Sequence, residues 1–218
     1  MSDSRPKRTQ APAPRLYLVT PVVEDADAFV RELTVALAAA DIAAVLLRLP
    51  QSDERTQINV VKTLAPVVQD KGIALVLDGH ASLVARGGAD GAQLNGIEEF
   101  LPALATLKPD RIAGCAGLAT KHDAMTAAER GADYVMFGGA AEGRQPSFDA
   151  IVDRVAWWAE VFEIPCVALA ASLDEIGPLA AARADFVAVG EFIWTDPRGV
   201  AAALAAANGR LTAPETVA

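Results

Sequence analysis

The feature that most constrains this chain is its alternation of short apolar runs with stretches of helical period. The runs fall at residues 16–20, 43–49, 73–78, 91–94, 112–115, 134–137, 166–169 and 186–189. Most are continuously apolar, the pattern of parallel strands covered on both faces. Helical patterns lie between them. Asp25 and Asp27 offer N-caps ahead of Phe29, Val30, Leu33 and Leu37. Ser52 and Asp53 open a second helix carrying Ile58, Val61, Leu64 and Val68, with Gly72 closing it and Pro66 expected to kink or restart it. Further helices are predicted over 98–107, 121–130, 148–162, 172–182 and 197–207, with one or two turns at 81–86.

Eight strand–helix units fit two architectures, a closed barrel or an open doubly wound sheet. No Gly-x-Gly-x-x-Gly follows the first strand, which weighs against the dinucleotide-binding open sheet. A repeated punctuation favours the barrel: Gly88-Ala89-Asp90 and Gly131-Ala132-Asp133 each precede a strand, and Ala184-Asp185 is a third copy without the glycine. The expectation is an α/β fold, a single (β/α)8 barrel over residues 15–208. A disordered leader is expected at 1–14 and a C-terminal tail at 209–218.

Composition narrows the function. At 218 residues the chain suits one domain, and 52% hydrophobic residues suit buried strands under Ala-rich helices. The net charge is −9, with no Lys/Arg-rich run beyond the N-terminal tail, so neither nucleic acid nor an anionic membrane surface is an expected partner. No apolar stretch approaches the length of a membrane span, and residues 1–14 lack the apolar segment of a secretory signal. Cys115 and Cys166 do not form a Cys-x-x-Cys pair. They are read as two buried thiols on barrel strands, which suits a reducing, cytoplasmic setting.

Several segments together resemble the thiamine-phosphate synthases and the related thiazole tautomerases. They are Leu16-Tyr17-Leu18-Val19-Thr20, Val45-Leu46-Leu47-Arg48, Gly88-Ala89-Asp90-Gly91-Ala92-Gln93-Leu94, Gly131-Ala132-Asp133-Tyr134-Val135 and Pro165-Cys166-Val167-Ala168, and the likeness runs from about Arg15 to Asn208. The resemblance implies the barrel. It also implies an activity that joins a pyrimidine methyl diphosphate to a thiazole phosphate, with Mg2+ assisting departure of pyrophosphate.

The positions matching that chemistry are altered. The family's Arg-Glu-Lys after the second strand is Arg48-Leu49-Pro50, and its Asn-Asp-Arg after the third is Asp78-Gly79-His80, so a metal-binding aspartate is replaced by Gly79. A later acidic metal ligand aligns with Glu98, the sole metal candidate. The Ser-x-His-Thr after the fifth strand becomes Gly117-Leu118-Ala119-Thr120, and the lysine-ended loop after the sixth becomes residues 139–146, ending at Pro146. Gly-Gly after the seventh becomes Ala170-Ala171, and Val-Ser after the eighth becomes Gly190-Glu191.

Barrel sites form at the C-terminal ends of strands. Catalytic candidates are therefore Arg48, Asp78 and His80, and ligand-binding candidates are Gln93, Asn95, Gly117, Thr120, Gly138, Ala170, Ala171, Gly190, Glu191 and Trp194. Arg48 suits either a salt bridge with Asp78 or an anion contact. Asp78 suits a loop cap, a general base or an amine partner. His80 suits an exposed loop position or a proton carrier oriented by its neighbour. Arg48 is expected at the opposite part of the rim from Glu191. Trp194 suits a lid, a stacking platform or surface packing. His122, Asp174 and Glu175 are read as helix-end decoration. Trp157 and Trp158 are read as packing, with a homodimer contact as the alternative.

The leading expectation is a synthase-like barrel of thiamine metabolism, altered or inactive in the standard coupling, that binds a small heterocyclic or phosphorylated ligand. Mg2+ is expected only if synthase activity is retained, and no other cofactor is implied. An active thiamine-phosphate synthase is the first alternative. A tautomerase or isomerase using Arg48, Asp78 and His80 is the second.

Overall fold

The computed structural model describes residues 13–139, 143 and 145–212. Most of the expected leader, and residues 213–218 of the expected tail, lie outside them. Eight strands close on themselves: β1 (Arg15–Val22), β2 (Ile42–Arg48), β3 (Ala74–Asp78), β4 (Gly91–Asn95), β5 (Ile112–Ala116), β6 (Tyr134–Phe137), β7 (Cys166–Leu169) and β8 (Phe186–Val189). Every neighbouring pair is parallel, and β1 pairs with both β2 and β8.

Helices fill the crossovers: α1 (Ala26–Ala39), α2 (Glu54–Gln69), α3 (Val84–Gly87, after a 3-10 turn at Ala81–Leu83), α4 (Ile97–Leu107), α5 (Lys121–Glu129), α6 (Phe148–Val161), α7 (Leu173–Ala181), α8 (Glu191–Trp194) and α9 (Val200–Thr212). Of the cap candidates, the structure uses Asp25 and Asp53, each accepting from the amide of the third helical residue, Ala28 and Thr56. Thr120, expected at a ligand site, instead forms a reciprocal capping box with Asp123.

Strand alternation separates two packed zones. Inward-facing Tyr17, Ala44, Leu46, Val76, Ala116, Tyr134, Met136, Val167 and Ala188 fill the barrel. The intervening residues, among them Leu16, Leu18, Val45, Leu47, Leu75, Leu77, Cys115 and Cys166, pack outward under the helices. Both thiols are buried, and burial pushes each up to about 12. Trp158 is 1% exposed and lies against Phe137 and Phe162, so it packs inside the subunit. Trp157 is half-buried under the Lys121 ammonium.

The Gly-Ala-Asp repeat has a physical meaning at the barrel's N-terminal end. Asp90 accepts the Leu75 amide at 2.7 Å, Asp133 the Ala113 amide at 2.7 Å and Asp185 the Cys166 amide at 2.8 Å. Each carboxylate thus holds a backbone amide near the start of the preceding strand, a donor that the ladder leaves over.

Two local expectations change. Helix α2 does not restart at Pro66 but runs on to Gln69; the proline removes one intrahelical donor, and Asp70 still donates to the Pro66 carbonyl. The last long helix starts at Val200 and runs to Thr212, while α8 begins directly after β8 at Glu191.

Candidate functional site

The alternation that fills the barrel also selects the groups at its C-terminal mouth. Continuing the inward series past Leu46, Val76 and Tyr17 places Arg48, Asp78 and Val19 at the rim. Arg48 Nε lies 3.7 Å from Asp78 Oδ2, with both side chains nearly half exposed. That is ion-pair range without a hydrogen bond, so the attraction is weak and either group remains free to meet a ligand. Burial is the main influence on Asp78 and raises its carboxyl above the usual range, Arg48 and His80 oppose the rise, and Glu99 adds to it.

Gly79 and His80 turn the chain away from β3 with successive positive φ values of 75° and 52°. The first suits glycine, whereas the second is uncommon for histidine. His80 is exposed at the rim beside Asp78, which keeps it in reach of the mouth.

A cavity of about 460 Å3 opens where β1, β2, β7 and β8 end, lined by Val19, Arg48, Leu169, Ala170, Glu175 and Glu191 among others. Gly139, Ala171 and Gly190 also reach it. Arg48 and Glu191 therefore share one cavity rather than opposite parts of the rim, because β1 alone separates β2 from β8. Among the described lining residues the charges are one guanidinium and two carboxylates. Glu142 and Arg144, in the loop after β6, lie outside the described residues.

The two backbone donors expected for a phosphate after β7 are engaged inside the protein. The Ala170 amide donates to the Ala188 carbonyl at 2.9 Å, and the Ala171 amide to the Glu175 carboxylate at 2.6 Å. Glu175, read from sequence as a first-turn charge, is thus also a cavity residue that caps the start of α7. Its spacing, an acidic third helical residue after Ser172, was the available signal.

Other candidates sit elsewhere. Asn95, Glu98 and Gly117 line a second cavity of about 450 Å3 with Asp123, between the starts of α4 and α5. Thr120 is committed to the α5 cap, and Arg154 holds the loop ahead of it by donating to the Leu118 and Ala119 carbonyls at 2.7 and 3.2 Å. Gly138 follows β6 beside Leu169. The Trp194 indole donates to the Val19 carbonyl at 2.7 Å and packs on Phe29, which places it behind the rim.

Gln93 points inward on β4 and is 5% exposed. Its Oε1 accepts from the Tyr134 hydroxyl at 3.1 Å, and Tyr134 meets the Tyr17 hydroxyl at 2.8 Å. Sequence reading left both tyrosines inside structural motifs, because nothing along the chain shows that β1, β4 and β6 aim polar tips at one another.

The described residues do not assemble a protein-only donor set for Mg2+. Gly79 supplies no carboxylate, Glu98 stands in the second cavity, and among the described residues no three His, Cys, Asp or Glu groups cluster closely enough for a metal. Mg2+ is usually held by one or two carboxylates together with waters and substrate phosphates, and Gly79 takes away one such carboxylate.

The fold and mouth define a (β/α)8-barrel protein of the kind that places small-molecule chemistry at its strand C-termini. Residues 16–193 match the family described as thiamine monophosphate synthase, and the chain belongs to that family. It is 39% identical to a thiamine-phosphate synthase of Rhodospirillum centenum over 199 residues, covering 89% of this chain and 96% of that one. It is 34% identical to a thiamine-phosphate synthase of Hyphomonas neptunium, with 95% and 97% covered. Among solved structures, the thiamine phosphate pyrophosphorylase of Pyrococcus furiosus shares the fold with a TM-score of 0.76 at 22% identity, covering 90% of this chain and 95% of that one. No described helix is long and apolar enough to cross a membrane.

Proposed function

We propose that this family member binds a small neutral or cationic heterocycle at the barrel mouth and does not carry out the standard Mg2+-assisted coupling. The observation that carries the reading is that the half of the anion cradle after β7 is occupied from within. Glu175 takes the Ala171 amide, and Glu191 adds a second carboxylate to the same cavity. A phosphate ester placed there would meet like charge. One such contact at 4 Å costs about 1 kcal/mol in water-like surroundings, roughly fivefold in affinity. Gly79 removes a metal carboxylate as well, so the changes touch both anion-handling parts of the family's chemistry.

Calorimetry with the thiazole alcohol and its phosphate ester tests this. The alcohol is expected to bind the native protein more tightly, and Glu191→Ser is expected to narrow the gap. Tighter binding of the ester to the native protein overturns the charge argument. The likeness to proteins named thiamine-phosphate synthase over nearly their whole length favours a second reading, a working synthase. Mg2+-dependent formation of thiamine phosphate from the two phosphorylated precursors would select it.

A further inference from the structure

The mouth cavity carries charges of opposite sign on its two sides. Around the rim, Glu175 enters from α7 and Glu191 from α8, Val19 of β1 comes next, and Arg48 enters from β2. The ends of β8 and β2 stand two strand spacings apart, roughly 10 Å. The carboxylates and the guanidinium therefore reach into one cavity from separate walls.

Arg48 is anchored by its backbone and left open at its head. The β1–β2 ladder is irregular at this point. Val19 pairs with Leu46 and Val22 with Arg48, so β1 takes three steps where β2 takes two, the signature of a bulge. Thr20, 1% exposed, lies in that bulge, and its hydroxyl accepts the Arg48 amide at 3.1 Å. The Arg48 carbonyl accepts from Val23 at 3.0 Å. Among the described residues the guanidinium has only the 3.7 Å approach to Asp78, which is no hydrogen bond. Its planar fork of donors suits a carboxylate held through two parallel bonds.

The other wall is acidic and also open. Glu175 spends Oε2 on the Ala171 amide, and among the described residues no cation pairs with Glu175 or Glu191. Phe148, Ile151 and Phe192 add apolar surface to the same cavity. A simple cation there leaves Arg48 unanswered, and a simple anion meets two carboxylates. A ligand carrying both charges answers both walls.

We propose that the mouth takes a zwitterion, an aromatic ring cation facing Glu175 and Glu191 with a carboxylate substituent held by Arg48. This rests on the mouth being a heterocycle site and names the class of heterocycle. The Thr20 bulge positions Arg48 for the carboxylate.

Three pyridines of similar shape and fixed charge test it by calorimetry at neutral pH. 1-Methylpyridinium-3-carboxylate carries both charges, 1-methylpyridinium-3-carboxamide only the cation, and pyridine-3-carboxylate only the anion. The native protein is expected to bind the zwitterion about tenfold more tightly than the carboxamide, through the charged hydrogen bonds to Arg48. Pyridine-3-carboxylate is expected to bind weakest. Arg48→Gln should bring the zwitterion down to the level of the carboxamide. Glu191→Gln should weaken both pyridinium probes several-fold and leave their ratio as it was. Equal binding of zwitterion and carboxamide to the native protein overturns the proposal while leaving the heterocycle site standing, and so does a ratio that survives Arg48→Gln. Tightest binding of pyridine-3-carboxylate overturns it as well, since the mouth would then be a plain anion site. Absence of binding of both pyridinium probes overturns the heterocycle site itself, and the proposal with it.

Discussion

At the scale of single residues, the rim is governed by what Asp78 can share. Its carboxyl is raised chiefly by burial, with Arg48 too distant for a hydrogen bond to compensate fully. A carboxyl raised in the folded state favours the protonated native protein. Its contribution to stability is therefore complete below the ordinary value of 3.8 and is lost as pH rises through the folded value above it. Replacing Asp78 by Asn removes that dependence. Chemical denaturation at a series of pH values should show the native protein losing stability relative to Asp78→Asn as pH climbs from below 3.8. A constant difference across the series would contradict the burial argument. The aspartate, glycine and histidine at 78–80 were legible as polar residues ending an apolar strand. The pairing of Asp78 with Arg48 was among the readings of the sequence; that Asp78 is the register partner of Gln93 was not, since register lies between strands.

At the scale of elements, the start of α7 shows how a helix terminus can be closed to ligands. Glu175 lies in its first turn and takes the Ala171 amide, the kind of donor that otherwise attracts anions. Glu175→Gln keeps the size of the side chain and removes its charge. It is expected to cost about 0.5–1 kcal/mol through the weakened cap and lost dipole interaction. It is also expected to strengthen binding of inorganic phosphate several-fold. Thermal unfolding and phosphate titration measure the two effects, and a stability loss without any gain for phosphate would mean that the amide is unavailable for other reasons. Helix α5 carries the complementary lesson. Thr120 matches a site position that the resemblance implies, yet both its hydroxyl and its amide serve the cap with Asp123.

For the whole molecule, closure is secured at the end away from the mouth. Asp90, Asp133 and Asp185 latch successive strands from below, and Lys108 supports Asp133 at 2.5 Å. Each latch satisfies an amide near the start of a strand, so Asp133→Ala is expected to destabilise by about 1–2 kcal/mol. Ligand affinity at the mouth should stay as it was, because stability and function occupy opposite ends of this fold. Urea unfolding alongside probe titration checks both, and a matching loss of affinity would show that the ends are coupled.

The sequence by itself determined the eight strand–helix units, the N-caps of α1 and α2 and the barrel, because apolar periodicity, capping chemistry and the Gly-Ala-Asp repeat are local signals that tertiary packing had no cause to override. It also carried the resemblance from which altered metal and phosphate positions were expected. Only the tertiary structure decided which polar residues meet. It put Arg48 and Glu191 in one cavity, turned Trp194 to the Val19 carbonyl, gave Glu175 the Ala171 amide and joined Tyr17, Tyr134 and Gln93 across the barrel. Those pairings depend on strand order, register and the inward or outward turn of each side chain, and residues 117 positions apart share a hydrogen bond only once the sheet has closed.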